Sequence, residues 1–279
     1  MIYLLNNSRY FDFVIKGLDE CFLELNIEYK LVDTYQEDSN NIYILCTTHE
    51  QRPLPKKYIS YNFEQLTTDK IWDSHFFDKL KNAVEVWDYS LENIKILESK
   101  GIKCKFLPLG ITNTIDYNIN REIDSRKLDF LFYGCINDNR INKLKNLLQI
   151  YYKTPEKYFV SNNCWGNDLI QKMSETRIGI NIHFYTGNTI LEIHRIYPMI
   201  INRVWVISET SNDSWYDEKL KDYITFCDNK DLIKNIMLIL KLSVEDFERI
   251  LEERRTKIIK ELKYKDFIKD NLKNSIIYK

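Results

Sequence analysis

The segment Gly187-Asn188-Thr189-Ile190-Leu191-Glu192-Ile193-His194-Arg195 gathers side chains suited to a phosphorylated ligand. A glycine stands just before a helix-patterned apolar run, so backbone N–H groups there are able to approach an anion closely. The positive end of the helix dipole then favours a diphosphate. Glu192 falls in the expected first turn, where a carboxylate suits a ribose diol. Arg195, three residues on, shares that face and suits phosphate or Glu192 itself. The same residues also admit a reading without any ligand. Thr189-x-x-Glu192 is a capping-box pattern, and Glu192 with Arg195 makes an ordinary intrahelical ion pair.

Other chemistry-bearing residues stand just after apolar runs. His49, Glu64 and Asp88 follow runs ending at Cys46, Tyr61 and Trp87. Each is able to take a proton from a hydroxyl group as a general base. Each also has a plain structural role open to it: Asp88 as a helix N-cap, Glu64 in a first helical turn, His49 in a loop. In the second half the residues so placed are Gly134 with Asn137 and Arg140, then His183-Phe184-Tyr185, then Glu209. His183 suits a phosphate loop or a hydrogen-bonded structural role. The 4 His and 6 Cys show no metal-ligand spacing and no Asp-x-Asp pattern occurs, so no metal or other cofactor is expected.

These residues need elements to hold them. Strands are expected at 2–5, 29–32, 42–46, 58–61, 84–87 and 104–107, with helices at 11–25 and 89–100. A polar, aperiodic stretch at 112–127 reads as a linker. The alternation then restarts with strands at 128–133, 158–160, 178–182, 204–207 and 223–226 and helices at 141–150, 168–174, 189–201 and 232–240. Strand–helix alternation implies parallel sheets with right-handed crossovers. The fold class is therefore α/β, with two Rossmann-like domains at 1–111 and 128–243. A charged helical tail at 244–279 is expected to pack back on the first domain, covering Ile258, Ile259, Leu262, Phe267 and Ile268. Open sheets of this kind bind ligands at the carboxyl ends of their strands.

Composition sets outer bounds. The chain has 279 residues, 44% apolar, with 40 Lys+Arg against 41 Asp+Glu. That balance disfavours nucleic acid as a partner. The 6 Cys form no C-x-x-C pair and sit in apolar runs, which suits reduced, buried thiols. No apolar stretch is long enough to span a bilayer, and the first residues read as a strand. A cytoplasmic protein is expected.

The order of several segments resembles GT-B glycosyltransferases, in particular the group 1-like proteins. They are Tyr61-Asn62-Phe63-Glu64-Gln65-Leu66, Val86-Trp87-Asp88-Tyr89-Ser90 and Phe106-Leu107-Pro108-Leu109-Gly110-Ile111. In the second half they are Asp129-Phe130-Leu131-Phe132-Tyr133-Gly134 with Asn139-Arg140, Asn181-Ile182-His183-Phe184-Tyr185, Leu191-Glu192-Ile193-His194-Arg195 and Val204-Trp205-Val206-Ile207-Ser208-Glu209.

The resemblance implies two domains facing across a cleft and transfer of a sugar from a nucleotide-sugar to a glycan or other hydroxyl acceptor. It implies that Glu192 binds the ribose and that Gly187, Asn188 and Thr189 underlie the diphosphate. Gly134 and Arg140 match the first donor-domain loop, where a basic side chain meets phosphate. His183 and Tyr185 stand beside that site. The family's second glutamate, about eight positions before the ribose glutamate, is replaced here by Phe184. With no metal expected, the leaving diphosphate would be met by a helix N-terminus and Arg140 or Arg195. A non-catalytic sugar- or nucleotide-binding protein on the same scaffold is the alternative.

Overall fold

The computed structural model describes residues 1–8, 10–37, 40–49, 53–66, 72–119 and 122–278. The chain divides into two compact units, Met1–Ile115 with Leu262–Lys279, and Asp116–Glu261.

The first unit opens with β1 (Ile2–Leu5), α1 (Asp12–Glu24), β2 (Tyr29–Val32), β3 (Ile42–Leu45) and β4 (Tyr58–Asn62). It continues through α2 (Ser74–Asn82), β5 (Glu85–Asp88), α3 (Leu91–Ser99) and β6 (Lys105–Phe106). Its sheet is parallel, in the order β2-β1-β3-β4-β5-β6. The inner strands are apolar runs because both faces are covered. On α1 the covering stripe is Val14, Ile15, Leu18, Cys21 and Phe22.

The second unit holds β7 (Leu128–Tyr133), α4 (Asp138–Ile150), β8 (Tyr158–Ser161), α5 (Gly166–Ser174) and β9 (Thr176–Asn181). Then follow α6 (Ile193–Ile201), β10 (Trp205–Ser208), α7 (Ser214–Leu220), β11 (Thr225–Phe226), α8 (Leu232–Ile239) and α9 (Val244–Glu261). Its parallel sheet runs β11-β10-β9-β7-β8. One crossover from β7 leads to β8 on one side, and the chain then returns to β9 on the other. The carboxyl ends of β7 and β9 therefore flank the topological switch point, where open α/β sheets take ligands.

The structure corrects several expectations. Two short helices, α2 and α7, were not foreseen. Helix α6 starts at Ile193 and not at Thr189, and α3 starts at Leu91 with Ser90 as its N-cap. The stretch 112–127 is not a free linker: Ile115, Ile119, Ile123 and Arg126 are buried in it, while 120 and 121 lie outside the described residues. The chain after 243 does not act as one tail. Helix α9 buries Phe247, Leu251 and Ile258 within the second unit. Only the segment from Leu262, with α10 (Tyr264–Asn271), joins the first. All six cysteines are free thiols. No described helix is long and apolar enough to cross a membrane.

Candidate functional site

At the switch point, β7 ends in Tyr133 and passes into Gly134, whose φ of +130° lies outside the range most side chains accept. The glycine is also required by space. A Cβ there would fall 2.7 Å from Arg195 Cζ and Nη2. The Arg195 guanidinium thus lies directly against the Gly134 backbone, and Tyr133 Oη donates to the Arg195 carbonyl at 3.2 Å. Arg195 Nη1 is buried and has no hydrogen-bond partner among the described residues. A buried guanidinium nitrogen lacking an acceptor is costly, and an anion at this end of the sheet would relieve that cost.

Glu192 is not where either sequence reading puts it. It precedes α6, and no capping bond joins it to Thr189. Its carboxylate is 3% exposed and turned inward. Oε1 accepts from Arg140 Nη2 at 3.2 Å and from the Phe184 N–H at 3.2 Å. Oε2 accepts from Asn181 Nδ2 at 3.0 Å and meets His183 Nδ1 at 2.9 Å. These contacts occupy the carboxylate's acceptor positions, so no side remains for a ribose diol. Burial opposes its charge, but His183, Arg195 and Arg140 hold its carboxyl far below the usual range. Arg195, which suited phosphate or Glu192 in the sequence, lies on Gly134.

Arg140 departs from expectation as well. It is wholly buried and its fork is spent on the protein. Nε donates to the Ile182 carbonyl at 2.9 Å, Nη1 to the Cys135 carbonyl at 2.6 Å and Nη2 to Glu192. Its guanidinium lies over the rings of Phe132 and Phe184, at 5.5 and 5.2 Å from their centroids. Burial, with Arg195 nearby, lowers its pKa to about 10. Arg140 ties the ends of β7 and β9 together, each of its three nitrogens donating to the protein.

The remaining residues form the rim. Tyr185 is half-buried, edge-on to Phe184 at 4.9 Å, while Gly187, at φ +81°, and Asn188 are exposed. Thr189 is buried and exchanges two backbone contacts with Asn212: its N–H donates to Asn212 Oδ1 and its carbonyl accepts from the Asn212 N–H, both at 2.9 Å. His183 bridges Glu192 and the Thr210 carbonyl. Glu209 accepts from the His183 N–H at 3.1 Å and pairs with Lys143 at 2.7 Å.

In the first unit the structure brings two of three candidate bases together. His49 Nε2 lies 3.2 Å from Glu64 Oε1, both partly exposed. Trp72 stands edge-on to the His49 ring at 6.4 Å. Lys79, buried, donates to the Thr48 and His49 carbonyls at 3.2 and 3.1 Å and fixes that loop. Asp88 is different. It is wholly buried, its oxygens accepting from Asn62 Nδ2, Asn93 Nδ2 and the Ser90 N–H. It joins the ends of β4 and β5 to α3 and has no open face for a substrate proton. Nor is it the N-cap, since Ser90 holds that place.

No family model matches the chain. An uncharacterized protein of Acanthamoeba polyphaga mimivirus is 32% identical over 167 residues, which is 58% of this chain and 55% of that protein. The match therefore spans about half the length of that curated relative. Solved structures align over nearly the whole chain. Sucrose-phosphate synthase from Thermosynechococcus elongatus has a TM-score of 0.60 at 10% identity, covering 99% of this chain and 98% of its own. A glycosyltransferase from Rickettsia africae scores 0.60 at 10% identity, covering 100% and 98%. HepE from Anabaena, solved with UDP and glucose, scores 0.57 at 7% identity, covering 98% of each chain. The chain has the GT-B fold.

Within this GT-B chain, further side chains hold the switch-point end together, and of these only Asn137 was singled out in the sequence. Asn137 Nδ2 donates to the Phe184 carbonyl at 2.7 Å and Asn139 Nδ2 to the His183 carbonyl at 3.0 Å. Asn181 and Ser208 share a hydrogen bond at 3.0 Å between the ends of β9 and β10. For Asn139, Asn181 and Ser208 the available signal was position alone, because each stands at or just after a strand. Among the described residues no group of three or more His, Cys, Asp or Glu gathers as metal ligands would.

Proposed function

We propose that the chain is a glycosyltransferase, transferring a sugar from a nucleotide-sugar donor to a hydroxyl acceptor. One observation carries this reading: a buried, unpartnered Arg195 nitrogen against Gly134 at the switch point of a GT-B fold. Breaking the anomeric C–O bond leaves negative charge on the departing diphosphate. Arg195 would meet that charge, together with the N-terminal turn of α4, whose first N–H groups have no intrahelical partners. The chemistry then needs no metal, and activity should survive excess EDTA. Loss of activity restored by Mn²⁺ or Mg²⁺ would contradict this charge assignment.

On the acceptor side we assign the His49–Glu64 pair as the base. A carboxylate beside an imidazole orients the ring and stabilises the imidazolium formed when a hydroxyl gives up its proton. Glu192 and Arg140 become positioning residues, which hold the ends of β7 and β9 in register around Arg195.

Thermal shift with UDP, GDP, CMP and dTDP tests the donor side, and UDP comes first because HepE was solved with it. A ligand at a hundred times its Kd should stabilise by ~2.7 kcal/mol. Donor hydrolysis without acceptor then separates an enzyme from a binder. If no nucleotide stabilises the protein and no donor is hydrolysed, the reading fails.

A further inference from the structure

His183 follows β9, is 3% exposed, and meets oxygen at both ring nitrogens. Nδ1 is 2.9 Å from Glu192 Oε2 and Nε2 is 2.9 Å from the Thr210 carbonyl oxygen. A carbonyl oxygen and an ionised carboxylate only accept. A neutral imidazole has a single N–H, so it would set one ring lone pair against an oxygen lone pair. Both contacts are satisfied only when the His183–Glu192 pair holds one further proton. The ring is the better place for it. The carboxylate already accepts from Arg140, Phe184 and Asn181, and an O–H there would face donors.

Thr210 belongs to the loop 209–213 between β10 and α7. This loop is joined to the loop after β9 at several points. Glu209 accepts from the His183 N–H, Asn212 and Thr189 exchange two hydrogen bonds, and the His183 ring holds Thr210. Of these, the ring contact is the one whose donor titrates near neutral pH.

We propose that His183 is a positioning residue whose protonated ring clasps loop 209–213 to the end of β9, and that nucleotide binding weakens when the clasp loses its proton. This rests on the reading that the nucleotide binds at the switch-point end of the second unit. Several charged groups surround the ring. Glu192 ahead of α6, Glu209 in the loop and Asp217 on α7 favour the proton. Arg140 on α4 and Arg195 on α6, both beside Glu192, oppose it, and Lys143 on α4 is already paired with Glu209. Burial opposes the charge, yet Glu192 and the Thr210 carbonyl hold His183 above its ordinary 6.5. The stabilisation is thus complete below 6.5 and is lost as pH rises through the raised value.

The test uses the intact chain. Its 4 His allow assignment of ring ¹⁵N signals by single His→Gln substitutions. At pH 6.5 both nitrogens of His183 should be protonated, with deprotonation only at higher pH. Over that titration amide exchange in 209–213 should accelerate beyond the base-catalysed rise that every amide shows, and the Kd for UDP should rise about tenfold. His183→Gln should show only the titration of UDP itself. A singly protonated His183 ring at pH 6.5 overturns the proposal, as does a UDP affinity with the same pH curve in His183→Gln. If that variant does not fold, the ring signals and the exchange of the unaltered protein still decide. If UDP binds at no pH, the nucleotide reading fails, while the ring and exchange measurements separately uphold or overturn the clasp.

Discussion

Replacing Glu192 by alanine would leave Arg140 and His183 buried without their shared counter-charge. Removing one partner from a buried ion cluster costs ~3–5 kcal/mol, so Glu192→Ala should lower the urea midpoint strongly. The ribose reading makes a separate prediction. If Glu192 held the diol, a 2′,3′-dideoxy nucleotide would lose little further affinity on the variant. With the carboxylate already saturated by protein donors, the dideoxy penalty should be equal on the variant and the unaltered protein. Nucleotide titrations on both, in one buffer, decide this. Arg195→Gln should weaken UDP about ten- to a hundredfold and cost less stability than Glu192→Ala, because it removes a charge-assisted contact while Arg140 and His183 still neutralise Glu192. At this scale the sequence was legible in residue types. His183 was named because it stands after a strand, Glu192 and Arg195 because they open a helix-patterned run behind Gly187, and they do cluster. Their partners were not legible. Whether a carboxylate faces a ligand or an arginine 52 positions earlier depends on tertiary contacts that leave no local spacing.

Helix α6 shows how a correct local pattern is overridden by stronger partners. Thr189 and Glu192 have the spacing of a capping box, but Glu192 finds Arg140, Asn181 and His183. The residues from Thr189 to Glu192 then stay out of the helix, and Thr189 satisfies its backbone through Asn212. Thr189→Val should therefore cost much less than the ~1 kcal/mol of a lost N-cap. Asn212→Ala, which strips the acceptor from a buried Thr189 N–H, should cost ~1–3 kcal/mol. Chemical denaturation of the two variants measures both, and a larger loss for Thr189→Val would restore the capping box. The alternation of strands and long helices was legible because apolar runs and 3.6-residue stripes are local signals. The helices α2 and α7, of 9 and 7 residues, were not, since two turns hold too few stripe positions to stand out.

The first unit is built from two distant pieces of chain, and its stability should depend on the second. The Ile111 N–H donates to the Leu262 carbonyl at 2.7 Å, and the Tyr264 N–H donates to the Ile111 carbonyl at 3.1 Å. Gly110 makes this approach possible, since a Cβ there would fall 2.5 Å from Tyr264 Cα. Tyr264 Oη donates to Tyr61 Oη at 3.1 Å, and Tyr61 donates to the Leu107 carbonyl at 2.7 Å. Further on, the Ser275 hydroxyl and the Ile276 N–H donate to Glu85 at 2.6 and 2.7 Å. These partners, with Lys105 and Trp87, hold the Glu85 carboxyl below its ordinary value although burial opposes the shift. The sequence foresaw that apolar residues near the C-terminus need a surface. It did not show the division at 261, because the Phe247, Leu251 and Ile258 stripe of α9 has the same character as the tail residues beyond it. Removing 262–279 would take away the buried side chains of Leu262, Tyr264, Ile268, Leu272 and Ile277. At roughly 1.5–3 kcal/mol for each buried apolar side chain, the loss is on the order of 10 kcal/mol. That equals the whole stability of an ordinary domain. The truncated chain should have an unfolded first unit, seen as fast amide exchange through β1 to β6. Its second unit, which keeps α9, should stay protected and still bind UDP. Slow exchange in both units after truncation would show that the tail is dispensable, and loss of protection in β7 to β11 would show that α9 needs the tail.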